Sequence, residues 1–504
     1  MRRRIGRKER IRENQEKLAD GLSTRHVGKT EPYDILAADR AQRIIDASLE
    51  MLESSGVVFE PGSEALEILA DNGCDASSEG IVHIAPELVH EALDSVSRSV
   101  KLWDRNGADS IQIDKDHTCF FPGMTCIKVY DLETGEKRPS NREDLETITR
   151  VADALPNIDG VCIACKNVER SDIFGEIDEF AAMAENTTKP LEYLCEYSQS
   201  LDVVIEMAAA IRGDYDALRD KPYFVHLVTP LPLNFARTHS DQIIAAVRAG
   251  VPVVSGTIAM GGASSPITVA GCLTQSLVTD LAAVVLGQLV EKGSFCIGGS
   301  DVAFMEPATG GLGSFVQASL ADMAIIQVMR QLDLPSFTGI AGDSKARRFN
   351  QDAVWEISAN MMQTFYSRPA TCDYLGSLDQ GITYSLHALL LCEDLAGLLR
   401  HMWKGFAVDE DNLALGLARR VGPLGNYLAE QHTAKHSRSQ AWGSRYFGAK
   451  MPLSEDGQPD RDLLERIDND LRQILKKHRP DALDDDVSQE MRAIQERFAA
   501  NFDN

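Results

Sequence analysis

The chain is predicted to be an α/β protein: a (β/α)8 TIM barrel with an N-terminal helical and small β-sheet extension and C-terminal helices. Three observations predict this. Between Cys119 and Leu399 one pattern repeats eight times: a short apolar run, a turn of small or acidic residues, then a longer amphipathic stretch. The runs open near Cys119, Gly160, Leu191, Tyr223, Pro252, Ser294, Pro335 and Arg368, about 28 to 42 residues apart, which suits a strand, a loop and a return helix. Pro190, Pro222, Pro252 and Pro335 stand just before or at a strand opening, where a missing N–H costs a sheet least. The 504 residues hold one such barrel plus extensions, since a barrel takes about 250 to 300 residues.

The elements follow in order. Residues 1–30 form a basic tail, in which Met1–Lys17 carries eight Lys/Arg against three Glu. It reads as a mobile solvated arm, or else as an arm that docks an acidic partner or a neighbouring subunit. No apolar core follows its arginines, so it is not a secretory signal. Residues 31–115 are read as a cap on the barrel. Ala41, Ile44, Ile45, Leu49 and Leu52 give Asp39–Ser55 helical spacing. Shorter helices fit Ser63–Asp71 and Pro86–Val96, with a strand at Ile81–Ile84 between them. Residues 116–405 are the barrel. Its helices are placed at Arg142–Ala154, Ile173–Glu185, Leu201–Arg212, Ser240–Ala249, Val269–Lys292, Phe315–Leu332, Ala353–Phe365 and Ser385–His401. Asn141 can cap the first, with Asp144 three residues on, and Gly250 ends the fourth. Residues 406–504 are a helical extension, with helices at Asp460–Lys477 and Val487–Phe502 that wrap the barrel or meet another subunit.

Composition narrows the function. A formal net charge of -25 argues against nucleic-acid binding, which needs basic surface to replace counterions. No run of eighteen or more apolar residues occurs, so no membrane span is expected. Ten cysteines, several inside predicted strands among Val, Ile and Ala, read as small buried residues of a reducing cytoplasm. A homo-oligomer is expected.

In a (β/α)8 barrel the chemistry gathers at the C-terminal ends of the strands. The turns there supply four acids, Glu196, Asp301, Asp343 and Asp373, and the aromatics Phe121, Phe304 and Tyr374. Acids together with aromatic faces suit an organic cation, through ion pairing and the ring quadrupole. Asp343 and Asp373 are the candidate catalytic groups; Phe121, Glu196, Asp301, Phe304 and Tyr374 are the candidate substrate contacts. The plainer reading is that such acids cap the following helices, as Asp343 could. The small-residue loop Met260–Thr268 permits close approach of a large ligand or a partner, but it lacks the lysine of a phosphate loop. No metal is expected. Cys162 and Cys165 are spaced for ligation but point to opposite faces of a strand. His117 and Cys119 lie at the wrong end of theirs. His432 and His436 share a helical face without the glutamate of a metalloprotease.

Met260–Thr274, the Gly299–Asp301 turn, Ala341–Asp352, Gly376–Leu386, Val421–Ser439 and Thr134–Glu146 together resemble the trimethylamine methyltransferase family of corrinoid-dependent enzymes. The resemblance runs over most of residues 35–450. It implies transfer of a methyl group from a methylated amine to the Co(I) corrinoid of a separate carrier protein, with no cofactor bound tightly by this chain. Two departures stand out. Trimethylamine-specific members carry pyrrolysine, and none is present here. The family's Pro-Glu pair is missing near Gly310–Phe315, and the acid Asp373 stands where betaine-type relatives carry a histidine. A methyl lost from a quaternary ammonium leaves a neutral tertiary amine and needs no general acid, so the expected donor is a quaternary (or tertiary) methylated amine such as a betaine. The alternatives are a barrel that binds methylamines or betaines without turnover, and a zinc-dependent methyltransferase with another donor.

Overall fold

The computed structural model describes residues 30–312, 315–339, 341–437, 440–447 and 462–502. The basic stretch Met1–Lys17 lies outside the described residues. Eight parallel strands form the barrel: β1 Cys119–Pro122, β2 Val161–Cys162, β3 Leu191–Tyr193, β4 Phe224–Val228, β5 Val253–Gly261, β6 Cys296–Phe304, β7 Phe337–Thr338 and β8 Thr371–Leu375. Their order is β1-β8-β7-β6-β5-β4-β3-β2. The seam between β1 and β2 is joined by backbone bonds: Asp159 N–H to Phe120 O (2.8 Å) and Thr125 N–H to Ile163 O (2.6 Å). Behind it Arg400 pairs with the buried carboxylate of Asp159.

The return helices are α1 Arg142–Ala154, α2 Ile173–Asn186, α3 Ser198–Arg212, α4 Arg237–Ala249, α5 Val269–Val290, α6 Phe315–Gln331, α7 Gln351–Ser367 and α8 Leu386–Trp403. Their ends have local causes. Asn141 and Asp144 form a reciprocal capping box on α1, and Gly250 closes α4 in the left-handed conformation at φ 73°. Among the described residues α5 is long and apolar enough to cross a membrane. It is instead packed against β5 and β6 on one side and helix Ala38–Ser54 on the other. That explains why it is apolar all round.

Strand parity sorts the core into two layers. Outward side chains such as Phe120, Phe224 and Val253 meet the helices. Inward ones such as Cys119, Phe121, Val225, Val254, Ile297 and Phe337 fill the barrel. The hairpin of Val100–Trp103 and Ser110–Ile113 closes the N-terminal mouth, adding Leu102, Ile111 and Ile113 to that inner layer. The helices Ala38–Ser54 and Pro86–Ser95 lie on the barrel's flank against α5, so within 31–115 the hairpin alone supplies the plug. The strand Val57–Phe59 borrows Asn234–Phe235, from the loop after β4, as a neighbour, and Phe59 stacks on Phe235 at 4.7 Å.

At the opposite mouth a small sheet of Lys128–Tyr130, Lys137–Pro139, Ser377–Leu378 and Thr383–Tyr384 stands on the rim. Helix Leu463–Lys477 packs on α8 and α1, and Asp485–Phe502 packs on α3 and α2.

Candidate functional site

A cavity of about 260 Å³ opens at the C-terminal end of β5 to β8. β6 delivers Asp301 and Phe304, the loop from β7 to α7 delivers Asp343 and Lys345, and β8 delivers Tyr374. Ile258 and Met260 of β5 and Leu312 complete an apolar wall. Four of the seven sequence-predicted residues, Asp301, Phe304, Asp343 and Tyr374, therefore border one space.

Local geometry explains how they meet. β8 breaks register between Cys372 and Leu375, and Tyr374 sits there at φ 63°. A bulky residue in the left-handed region is strained, and strain of this kind persists only where the surroundings enforce it. Here Tyr374 hydrogen-bonds Asp301. Gly339 leaves room for that pair: a Cβ on it would lie 3.0 Å from both Asp301 Cγ and the Tyr374 ring. Phe304 lies over Gly261, whose added Cβ would come within 2.4 Å of the ring. The loop bearing Asp343 is tied to α7. Glu356 accepts from Ser344 Oγ (2.6 Å) and from Lys345 N–H (2.7 Å), and Asn360 donates to Asp343 O (2.9 Å). Asp343 is not a helix cap; Asn350 caps α7.

Electrostatics distinguish the acids. Asp301 and Asp343 are partly open to the cavity and shut off from bulk water elsewhere. Burial pushes Asp343 up to about 8, helped by the nearby Asp301 and opposed by the backbone N–H groups of Ser344 and Gly381. Burial raises Asp301 as well, against the bond from Tyr374. Burial lowers Lys345, against the attraction of Glu356 and Asp343. Among the described residues, its ammonium makes no ion pair within 4 Å.

Three sequence-predicted residues fall elsewhere. Phe121 is fully buried in the barrel's inner layer, packed over Gly160, because parity turns it inward below the rim. Glu196 is exposed at the start of α3; its backbone N–H is held by Glu176 (2.8 Å), and its side chain does not border the cavity. Asp373 is fully buried and off the cavity wall, one residue before the bulge that turns Tyr374 outward. Its carboxyl is raised well above the usual range by burial and then by Glu192 and Asp301. Glu192, also fully buried, is raised by burial too, and neither carboxylate has a hydrogen-bond partner among the described residues. Glu192 was not singled out from sequence, although an acid between Leu191 and Tyr193 must face inward by parity. Asp322 of α6 is buried and raised by burial and by Asp301. Glu356 and Lys345 carried no signal beyond their place in a quoted turn and helix.

A second hollow, about 190 Å³, lies between α2 and the last helix, around Phe174, Ile177 and Gln495. It gathers no comparable set of acids.

Fold and cavity together define a protein of the (β/α)8 class, with acids and aromatics converging at the strand ends. The chain matches the trimethylamine methyltransferase (MTTB) family over residues 3–502. It belongs to that family and is a methyltransferase. The trimethylamine methyltransferase MttB of Desulfitobacterium hafniense is 28% identical over 456 residues, covering 89% of this chain and 91% of that one. A glycine betaine methyltransferase from another strain of that species is 26% identical over 476 residues, covering 92% and 96%. Among solved structures, the Methanosarcina barkeri monomethylamine methyltransferase MtmB superposes with a TM-score of 0.50 over 91% of each chain at 12% identity, which bears on the fold alone.

Proposed function

We propose that the rim cavity binds a quaternary methylated amine and presents one N-methyl group to the corrinoid of a separate carrier protein. The observation that carries this reading is the convergence of Asp301 and Asp343 with Phe304, Tyr374 and an apolar wall in one space at the strand ends. Carboxylates and ring faces are the partners an organic cation needs. The corrinoid, when the carrier docks, supplies the nucleophile that takes the methyl; the N–CH3 bond breaks and its electron pair stays on nitrogen. A corrinoid is large and flat, and the side chains facing outward around this mouth suit such a visitor: Ile258, Ile267, Val316 and Leu320 are large, apolar and exposed.

The chain's own residues orient, exclude water and adjust charge. The substrate's positive charge disappears as methyl leaves, so fixed anions that hold the cation tightly would oppose the reaction. Asp343 meets this by titrating near neutrality: it ionises as the cation enters and regains a proton as the neutral amine departs. Asp301, held by Tyr374, positions the nitrogen. Lys345 favours a donor with an anionic group, because its ammonium lines the same cavity and makes no ion pair within 4 Å among the described residues. A betaine satisfies both ends; trimethylamine satisfies one.

The test is methylation of a Co(I) corrinoid carrier, followed by methyl-cobalt absorbance, with glycine betaine, choline, tetramethylammonium and trimethylamine as donors. A zwitterionic quaternary donor is expected to work best, and Asp301→Asn to reduce kcat/KM by at least about 100-fold. Failure with every donor would sink the enzymatic reading, and binding without turnover would favour a barrel that only binds methylamines or betaines.

A further inference from the structure

We propose that Asp411, His432 and His436 form a binding site for a divalent transition-metal ion that fastens the segment following the barrel. The inference is independent of the donor assigned to the rim cavity; none of these residues borders it.

The two histidines are one turn apart on helix Gln431–His436, so their imidazoles rise from one face. Their ring centroids are 4.4 Å apart. A pair so spaced on a helix still lacks a third ligand, and the fold brings one from 21 to 25 residues away. His436 Nε2 lies 3.0 Å from Asp411 Oδ2, and His432 Nε2 lies 2.9 Å from the Asp411 backbone oxygen. One ligand atom from each of the three side chains falls within 4.8 Å of the others. In a tetrahedral zinc site with bonds of about 2.0 to 2.2 Å, ligand atoms stand about 3.3 to 3.5 Å apart. Small side-chain rotations therefore admit an ion. Two imidazoles and one carboxylate form a borderline donor set, which prefers zinc, nickel or copper to magnesium or calcium.

A second observation says why a fastening is needed there. The short helices Glu410–Leu413, Leu415–Val421 and Gln431–His436 contain no buried residue. Leu424 and Leu428 stand 101% and 87% exposed. A stretch that buries no apolar side chain gains little from the hydrophobic effect. A metal bridge from Asp411 to His432 and His436 would close this stretch into a loop, and the binding free energy would become local stability. One group competes. Lys435 Nζ sits 2.6 Å from the same Asp411 Oδ2, so an entering ion must displace it. Removing that lysine's charge should tighten binding.

The test is calorimetric titration of metal-stripped, full-length protein with zinc chloride, then with calcium and magnesium chloride. One zinc site is expected. His432→Ala and His436→Ala should each weaken it by about 100-fold or more, and Lys435→Gln should strengthen it several-fold. Proteolytic cleavage within 406–437 should slow on adding zinc to the parent protein and be unaffected in the His432→Ala/His436→Ala double variant. All three ligands are at the surface or close to it, so these variants should fold. Equal zinc affinity in parent and double variant, or calcium binding as tight as zinc, would overturn the site.

Discussion

The rim cavity and the segment 406–437 both carry acids, yet they handle charge in opposite ways. In the cavity and the barrel below it, Asp301, Asp343, Asp373 and Glu192 have lost bulk water and, among the described residues, form no ion pair within 4 Å, so burial raises each of them. In the segment, Asp411 is exposed and paired with Lys435 and His436, and its carboxyl is lowered, chiefly by the bond from Lys435. The barrel stores unbalanced carboxyls that a cationic ligand can satisfy. The segment spends its charges on itself in water, where such pairs contribute little. The same residue type thus lacks a counter-charge in one place and holds one in the other.

The largest test of this contrast is mechanical. Trp403 ends α8 fully buried, stacked on Phe120 and Phe365 at 6.2 and 6.3 Å, with Nε1 donating to Phe365 O. Trp403→Ala should cost about 3 to 5 kcal/mol, read as a fall in the urea midpoint. A loss under about 1 kcal/mol would mean that this layer does not carry the barrel.

The next test is pH. Asp343 has a folded value near 8, against about 3.9 in an unfolded chain. The folded state then binds more protons than the unfolded state between those values. Its contribution is therefore full below about pH 4 and is lost as pH rises through about 8. The melting temperature should fall from about pH 4 to about 8 and level off above that, and Asp343→Asn should remove this slope. Binding of tetramethylammonium should move the other way, tightening over the same range as the carboxylate forms. A melting temperature that rises with pH, or pH-independent cation binding, would contradict the proposed role of Asp343.

The barrel was legible in the sequence because its signals repeat. Eight apolar runs, each followed by a longer helical stretch, placed the strands to within a few residues, and α1 lies at Arg142–Ala154 both by capping chemistry and in the structure. The cavity was legible only to the level of its turns. Asp301, Asp343 and Tyr374 lie where strands end, but whether a side chain crosses the rim or points below it depends on parity and on one bulge. That bulge separates Tyr374, on the cavity wall, from Asp373, beneath it, and nothing local in Thr371–Leu375 announces it. Glu192 could have been found by counting alternation along β3. The third ligand of the histidine pair could not, because Asp411 reaches it only through tertiary folding.

A subtler difference concerns Lys345. If it reads an anionic group on the donor, Lys345→Gln should raise KM for glycine betaine about tenfold while leaving tetramethylammonium nearly unchanged. Equal effects on both donors would make it a general support of the loop instead.

The smallest expected effect completes the comparison. Leu424 is as exposed as an apolar side chain can be, so Leu424→Ala removes almost no buried area and should change global stability by less than about 0.5 kcal/mol. Local behaviour is the sharper measure. Amide exchange across 406–437 should be fast in metal-free protein, because its helices have no buried face and only short backbone ladders. Slow exchange there in a metal-free monomer would show that the segment has a support that neither a core nor an ion supplies, and the division between a ligand-poised barrel and a self-paired extension would have to be redrawn.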